Sequence, residues 1–289
     1  MIRLLALDID GTILDSDGHI PDANRDAIAR AIQAGVEVAL ATGRRYDFAR
    51  PIFDKLPAPL TLILSNGAIV KTHQGQTLMR SLLPHYVARE VLARVPAHRE
   101  SAAVVFDRPR EGQVVFEAID WEHPRHHRFF AANRPFLSEV APLEDCLTED
   151  PIQVMFSGGC AEMRVVFEEL QDAPLDCSVA LTEYQHRNFS LVDIVQAGCS
   201  KGSTLRRWAE HRGFARDEVM AMGDNLNDLQ MLEFAGTPVV MGNALAELKA
   251  RGWATTASND EAGVARAIER YILAEANVPT PSAPRKASY

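Results

Sequence analysis

Short apolar runs alternate with segments of helical apolar spacing over the first part of the chain. Three runs have the length and composition of buried strands, and they fall at 4–7, 36–41 and 60–64. Residues 23–34 carry apolar side chains at helical spacing and stop at Gly35, a residue type that commonly ends helices. A second helix is predicted over 46–56. This alternation predicts a parallel sheet with right-handed crossovers.

The middle of the chain has a different pattern, in which hairpins replace the regular alternation. A first hairpin is predicted around residues 73–76. From residue 84, strand and helix patterns are mixed. Helices are predicted at 87–95 and 161–170, and strands at 102–106, 114–118, 152–156, 177–181 and 190–192. Alternation returns at Lys201 and runs to residue 273. We therefore predict a doubly wound, Rossmann-like α/β core over 1–83 and 188–275, an inserted α+β cap domain over 84–187, and a disordered tail over 276–289.

Composition and charge narrow the class of protein. The 289 residues suffice for two domains, and a hydrophobic content of 47% is usual for a globular protein. A net charge of −9 argues against a nucleic-acid partner, which would require a basic field. No apolar run approaches the ~20 residues of a membrane span, and Asp8 interrupts the first run too early for a signal peptide. We expect a cytoplasmic monomer or small homo-oligomer without a membrane partner.

The cysteines support the expectation of a cytoplasmic protein. The chain has four, which are widely spaced without a CxxC pair: Cys146, Cys160, Cys177 and Cys199. This spacing indicates neither a zinc site nor a disulfide framework, so reduced thiols are expected.

Two carboxylates follow the first predicted strand, in the segment Asp8-Ile9-Asp10-Gly11-Thr12. Ligands of open α/β sheets bind at this edge, and alternation places Asp8 and Asp10 on the same side of the extended chain. Such a pair requires a cation or a proton between its charges, and carboxylates with a substrate phosphate favour Mg²⁺. The alternative is a polar turn after an ordinary strand.

Three further polar motifs stand at predicted strand ends or helix starts. Residues 219–222 form a buried strand pattern that ends in Gly223-Asp224-Asn225-Leu226-Asn227-Asp228. The strand at 36–41 ends in Thr42-Gly43-Arg44, and Lys201 opens a helix pattern. Taken singly, each motif has a structural alternative: the threonine–glycine pair suits a helix N-cap, the lysine suits a solvated surface position, and the acidic segment suits a turn. With the polar turn after the first strand, purely structural roles would require four coincidences.

As a set, these four motifs resemble the haloacid dehalogenase-like phosphatase superfamily. They are most similar to its Cof-type, sugar-phosphatase-like branch, which has a large α/β cap. Ser65-Asn66-Gly67-Ala68 and the segment 258–264 also resemble that branch, and the resemblance covers about residues 1–272. It implies Mg²⁺-dependent hydrolysis of a small phosphorylated metabolite, with sugar phosphates as the leading class.

The resemblance also implies the catalytic roles. Asp8 is expected to attack phosphorus and form an aspartyl-phosphate, and Asp10 to act as general acid and base. Lys201 is expected to neutralise the transferring phosphoryl group and to stabilise the Asp8 anion. Thr42 and the Gly43 amide are expected to bind phosphate.

The remaining implied roles belong to the second half of the chain. Asp224 would complete a magnesium site with Asp8 and the main-chain carbonyl of Asp10. Asn225 would contact the metal directly or through water. Asn227 would bind phosphate, and Asp228 would orient Lys201 or its loop.

Other polar residues are weaker candidates. His123, His126 and His127 allow a metal site, but a solvated cap loop is favoured because Pro124 breaks helical spacing. Arg44 and Arg45 suit an anionic substrate and a surface role equally well. A linker is favoured over a substrate-facing role for three residues near the predicted return to the core, Tyr184, His186 and Arg187.

Two rival functions stay open at this point. One is a phosphomutase of the same branch, in which the phosphoryl group returns to substrate instead of water. The other is a sensor that binds a phosphorylated metabolite without turnover, although intact Asp8 and Asp10 argue against it.

Overall fold

The computed structural model describes residues 1–123 and 127–274, without the side chains of Arg128 and His186. The described residues form two sheets, of eight and six strands. The larger sheet contains β1 (Leu4–Leu7), β2 (Glu37–Ala41), β3 (Thr61–Leu64), β4 (Ile69–Thr72), β5 (Thr77–Arg80), β12 (Val219–Gly223), β13 (Thr237–Val240) and β14 (Ala254–Thr255). The smaller sheet contains β6 (Ala102–Val105), β7 (Val114–Phe116), β8 (Leu137–Glu139), β9 (Gln153–Gly158), β10 (Cys177–Tyr184) and β11 (Phe189–Gln196).

The larger sheet is doubly wound, as the sequence predicts. Its spatial order is β14-β13-β12-β1-β2-β3-β4-β5, and the strands from β14 to β3 are parallel. The chain proceeds from β1 toward β2 and β3 on one side, whereas β12, β13 and β14 lie on the other. The strand order therefore reverses between β1 and β12, which is where such sheets bind ligands. The predicted hairpin is also present, since β4 and β5 pair antiparallel.

Nine α-helices are assigned among the described residues, and four of them form two packed pairs. They are α1 (Asp22–Gln33), α2 (Tyr46–Phe53), α3 (His85–Arg94), α4 (His127–Asn133), α5 (Cys160–Gln171), α6 (Lys201–Arg212), α7 (Leu229–Phe234), α8 (Ala246–Lys249) and α9 (Gly263–Ile268). Helix α1 packs against α9, and α6 packs against α7.

Burial of the central strands fixes where the polar motifs meet. All four residues of β1 are fully buried, and Leu7 lies beside Leu40 of β2 and Met222 of β12. Met220 and Met222 are likewise buried strand residues, as predicted. Because the three strands are parallel and in register at this point, the segments that follow them lie at one edge of the sheet.

The smaller sheet has the order β10-β11-β9-β6-β7-β8 and is antiparallel except between β7 and β8. Strand β11 pairs with β10 and β9, so this sheet extends past the boundary that we predict at 187/188. A division of the chain into two domains stays a proposal. If 84 marks its first boundary, sheet membership places the second after Gln196 instead of after residue 187.

Some elements differ locally from those that the sequence predicts. The helix predicted over 46–56 ends at Phe53, and residues 54–56 form turns. Short elements α4 and β8 occupy a polar, aromatic stretch without apolar periodicity.

The four cysteines are free thiols. None of the helices among residues 1–123 and 127–274 is long and apolar enough to cross a membrane. The predicted tail over 276–289 and His126 lie outside the described residues.

Candidate active site

Asp8 leaves the end of β1 at the reversal point of the larger sheet. Asp8 is 4% exposed, and the turn that follows it depends on Gly11, which has a φ of +82°. A side chain at Gly11 would also collide with the Asp224 carboxylate, so the turn and the acidic loop after β12 are packed together. Thr12 then donates a hydrogen bond of 2.9 Å from Oγ1 to Asp224 Oδ1. The first and last acidic motifs are thus in direct contact.

Lys201 joins two of these carboxylates. Its ammonium donates to Asp8 Oδ1 at 2.6 Å and to Asp228 Oδ1 at 2.7 Å, and the residue is 1% exposed. Lys201 is the first residue of α6, whose N-terminus is capped by reciprocal hydrogen bonds between Ser200 and Ser203. Burial alone would lower the pKa of Lys201, but the two carboxylates outweigh it and hold the pKa above its ordinary value.

Three buried carboxylates form a candidate metal site. Ligand oxygens of Asp8, Asp224 and Asp228 all lie within 4.8 Å of one another. Burial raises the pKa of Asp8 to about 7 against the opposing charge of Lys201. Burial and the Asp8 charge also raise the pKa of Asp224 well above its usual range. Both pKa shifts reflect the cost of burying negative charge close together, which a divalent cation would offset, and oxygen donors of this kind suit Mg²⁺.

Asp10 has a different environment from the one that its spacing predicts. Its two carboxylate oxygens accept hydrogen bonds from Arg44, at 2.7 Å from Nε and 2.6 Å from Nη2. The Arg44 guanidinium also lies 4.4 Å from the centre of the Phe48 ring. Arg44 is therefore neither a surface residue nor free for an anion, because it is paired with the predicted acid–base residue.

The phosphate-binding candidates line the same cavity as the two aspartates. Thr42 is buried, and its Oγ1 accepts from the Arg44 main-chain N–H at 3.2 Å. The backbone at Gly43 approaches Asn66 closely, since a Cβ there would lie 3.2 Å from the Asn66 amide nitrogen. Thr42 and Gly43 both line a cavity of about 460 Å³ that also contains Asp8, Asp10 and Asn227.

The two asparagines of the acidic loop connect to other elements. Asn225 is held by the main chain of Glu183 in β10, through a 2.8 Å bond from its amide to the carbonyl and a 3.1 Å bond from the Glu183 N–H. Asn227 Nδ2 donates to Asn66 Oδ1 at 3.0 Å, and its own Oδ1 is buried without a hydrogen-bond partner among the described residues. A metal contact for Asn225 and a phosphate contact for Asn227 stay predictions.

Asp193 is a site residue that we did not predict. It lies in β11, is buried, and its carboxylate accepts from Asn66 Nδ2 and Gln153 Nε2, each at 2.8 Å. Burial raises its pKa to about 7. The available signal was a single acidic residue inside the apolar run 191–195. Together with Asn66 it connects the smaller sheet to Asn227.

The cavity lies between the strand ends of the larger sheet and one face of the smaller sheet. Its walls are mostly apolar and include six aromatic side chains, Phe48, Phe116, Phe129, Phe130, Tyr184 and Phe189. Tyr184 and Phe189 are stacked, with ring centres 6.1 Å apart. Arg187 also lines the cavity, so two of the residues for which we favoured a linker role face it. The side chain of His186 is outside the described part of the structure.

Arg45 also differs from a surface residue. It is 8% exposed, lines the cavity, and donates from Nη2 to Asn133 Oδ1 in α4 at 2.6 Å. Among the described histidines of the cap cluster, His127 contacts the His123 carbonyl through Nδ1 at 3.2 Å. The metal interpretation of this cluster includes His126, which lies outside the described residues.

Comparisons with known proteins identify the family of the chain. Residues 5–268 match the haloacid dehalogenase-like hydrolase family. The chain is 31% identical to an HMP-PP phosphatase of Serratia proteamaculans, over 86% of this chain and 87% of the relative. It is 28% identical to the pyridoxal phosphate phosphatase YbhA of Escherichia coli, over 94% and 99%. A haloacid dehalogenase-like hydrolase structure from B. subtilis has the same fold, with a TM-score of 0.79, 23% identity and coverage of 94% and 100%.

The family match spans most of the chain, so the resemblance read from the motifs is confirmed. Several of the similar proteins are named as phosphatases, and their lengths agree with that of this chain. The chain therefore belongs to the haloacid dehalogenase-like hydrolases, in their Cof-type branch, and is a hydrolase of phosphoric monoesters.

Proposed function

We propose that this hydrolase releases phosphate from a small phosphomonoester through an aspartyl-phosphate on Asp8, with Asp10 as general acid and base and Mg²⁺ as cofactor. The observation that carries the proposal is the position of Asp8 at the reversal of strand order. There it lies 2.6 Å from the buried Lys201 ammonium and borders the cavity that holds Thr42 and Gly43. A buried cation favours ionised Asp8, and only the ionised carboxylate is a nucleophile.

Two chemical steps follow from this arrangement. A carboxylate oxygen of Asp8 forms a bond to phosphorus while the bond from phosphorus to the ester oxygen breaks, and Asp10 gives that oxygen a proton. Water then attacks the aspartyl-phosphate and loses a proton to Asp10, which releases phosphate and restores Asp8. The ester oxygen has to compete with Arg44 for the Asp10 carboxyl group, because both of its oxygens accept from Arg44 in the structure. We therefore propose that substrate binding displaces Arg44 from Asp10.

Asp8 and Asp224, with the main-chain carbonyl of Asp10, are the groups that would hold Mg²⁺. Asp228 completes the acidic cluster, but its oxygens already accept from Lys201 and from the N–H groups of Asp224 and Asn225. When bound, Mg²⁺ supplies positive charge for the phosphoryl oxygens and offsets the repulsion among these carboxylates. Thr42, the Gly43 amide and Lys201 supply further hydrogen bonds and charge to the same group.

The lining of the cavity supports a planar, aromatic leaving group more than the sugar that the resemblance implies. Six aromatic rings line the space beyond Asp8 and Asp10, among polar side chains that include Ser157, Thr182 and Arg187. A flat ring gains more stacking and apolar burial against these rings than a sugar does. One relative is named for pyridoxal phosphate, which carries an aromatic ring.

A phosphate-release assay tests this function. The panel should include pyridoxal 5′-phosphate, phenyl phosphate, a hexose 6-phosphate and glycerol phosphate, each with Mg²⁺ and with excess chelator. We expect Mg²⁺-dependent release and a higher kcat/KM for the two aromatic esters. No release from any ester would contradict the proposal, and a preference for the hexose ester would refute the aromatic class. Labelled phosphate recovered in an isomerised sugar would indicate a phosphomutase instead.

A further inference from the structure

Arg45 has a fixed position between the larger sheet and the smaller one. It follows the Thr42-Gly43-Arg44 segment but extends away from it, because Nη2 donates to Asn133 Oδ1 at 2.6 Å. Its guanidinium carbon also lies 4.8 Å from the centre of the Phe136 ring. Asn133 ends α4 and Phe136 precedes β8, so the guanidinium is held by the part of the chain that covers the cavity.

The Arg45 guanidinium forms no salt bridge within the described part of the chain. No described carboxylate oxygen lies within 4.0 Å of it, whereas Arg44 has a bidentate partner in Asp10. Asp47 acts on Arg45 through its charge at longer range, and its Oδ2 accepts a 2.7 Å hydrogen bond from Gln113. The Arg45 Nε is buried without a hydrogen-bond partner among the described residues.

An unpaired, buried guanidinium is costly to fold around, so a functional reason is needed. Burial lowers the pKa of Arg45 to about 10, and the group therefore stays charged at neutral pH. Since Arg45 lines the catalytic cavity, a ligand in that cavity can supply the oxyanion that the guanidinium lacks in direct contact. A planar guanidinium matches the oxygens of a carboxylate or a phosphate.

We propose that Arg45 is a specificity-determining residue that binds a second oxyanion, a carboxylate or an additional phosphate, on the leaving group of the substrate. This inference rests on the proposed function and narrows its substrate class to aromatic phosphomonoesters that carry a further negative charge. The phosphoryl group to be transferred belongs at Asp8, Thr42 and Gly43, while the second oxyanion belongs on the α4 side of the cavity.

Matched aryl phosphates test the proposal. The reference pair is 4-carboxyphenyl phosphate and 4-carbamoylphenyl phosphate, which have nearly the same shape and differ in charge. A third ester, 1,4-phenylene bisphosphate, distinguishes a phosphate from a carboxylate as the second group. We expect the parent protein to prefer at least one charged ester over the amide in kcat/KM. In Arg45→Gln that preference should fall about 10- to 100-fold, with the amide changed much less.

Control variants separate charge from structure. Arg45→Lys keeps the charge but not the planar fork and should retain part of the preference. Asn133→Ala keeps Arg45 but removes its hydrogen-bond acceptor, so the preference should weaken without disappearing. Arg25→Gln, on α1, should match the parent protein. Circular dichroism and thermal unfolding confirm that each variant is folded.

Three results would overturn the proposal. An equal loss for the charged esters and the amide in Arg45→Gln would place Arg45 at the transferred phosphoryl group or in a structural role. An unchanged preference would assign its charge to the neighbouring cavity of about 390 Å³, which Arg45 also lines. If no ester is hydrolysed, the proposed function fails. Calorimetric binding of 4-carboxyphenylphosphonate and 4-carbamoylphenylphosphonate then still decides the role of Arg45, and equal affinities would refute it.

Discussion

The side-chain amide of Asn225 is hydrogen-bonded to both the carbonyl and the N–H of Glu183, as the main chain of a neighbouring strand would be. Its Nδ2 donates to the Glu183 carbonyl at 2.8 Å, and its Oδ1 accepts from the Glu183 N–H at 3.1 Å. Oδ1 also accepts from the Leu226 N–H at 2.9 Å. Glu183 belongs to β10 and Asn225 to the loop that carries Asp224 and Asp228. The acidic loop is thereby attached to the sheet that covers the cavity.

Removing the Asn225 side chain is expected to loosen this attachment more than metal binding. Asn225→Ala leaves the buried N–H and carbonyl of Glu183 without these partners, at a cost of about 1–3 kcal/mol to the contact between the acidic loop and β10. We expect a raised KM and a nearly unchanged Mg²⁺ concentration for half-maximal activity. Steady-state titrations of substrate and of Mg²⁺ measure both. A rise of tenfold or more in the required Mg²⁺ would support the metal contact that the resemblance implies.

Mg²⁺ is expected to stabilise the fold as well as to permit turnover. Asp8, Asp224 and Asp228 lie within 4.8 Å of one another, so a bound cation removes repulsion in the native state only. The temperature of thermal unfolding should rise with Mg²⁺ and fall in excess chelator. Asp224→Asn should lose most of this rise, whereas the exposed control Glu261→Gln should keep it. Equal Mg²⁺-induced rises in all three proteins would show that the ion binds elsewhere.

Lys201 should be needed for stability as well as for catalysis. Lys201→Met leaves Asp8 and Asp228 buried without their shared cation, a change that costs about 3–5 kcal/mol. Asp8→Asn in the same chain removes one of the uncompensated charges. The double variant should therefore be more stable than Lys201→Met, although neither turns over substrate. Urea unfolding of the single and double variants measures the coupling, and strictly additive losses would contradict it.

The sequence predicts the core better than the cavity, for a physical reason. Strands β1, β2 and β12 are short apolar runs, and their parallel register alone brings Asp8, Thr42 and Asp224 to one edge. The motifs that contact one another are those that follow these strands directly. Local pattern is enough in this case because each side chain is placed by the strand that precedes it.

Side-chain pairs formed across the two sheets could not be predicted in the same way. The bond between Asn66 and Asp193 joins residues 127 positions apart, and that between Arg45 and Asn133 spans 88 positions. Neither pair has a periodic signal, because each depends on how the smaller sheet lies over the larger one. The same dependence applies to β11, which pairs with β9 and β10 although its apolar pattern suits either sheet.

Asp193 should make the free energy of unfolding depend on pH. Burial raises its pKa to about 7 in the folded chain, against an ordinary value of 3.8. The native state therefore keeps this proton between about pH 4 and pH 7, where the unfolded chain has lost it, and stability falls as pH rises through that window.

In Asp193→Asn this contribution is absent. The new amide can donate to Gln153 Oε1, which is buried without a partner among the described residues. We expect the free energy of unfolding of Asp193→Asn, relative to the parent, to increase by up to about 1.4 kcal/mol per pH unit across the window and to level off above it. Urea unfolding at several pH values, with Mg²⁺ held constant, measures the difference while Asp8 and Asp224 contribute equally to both proteins. A difference that is independent of pH would show that Asp193 is already ionised in the native state throughout this range.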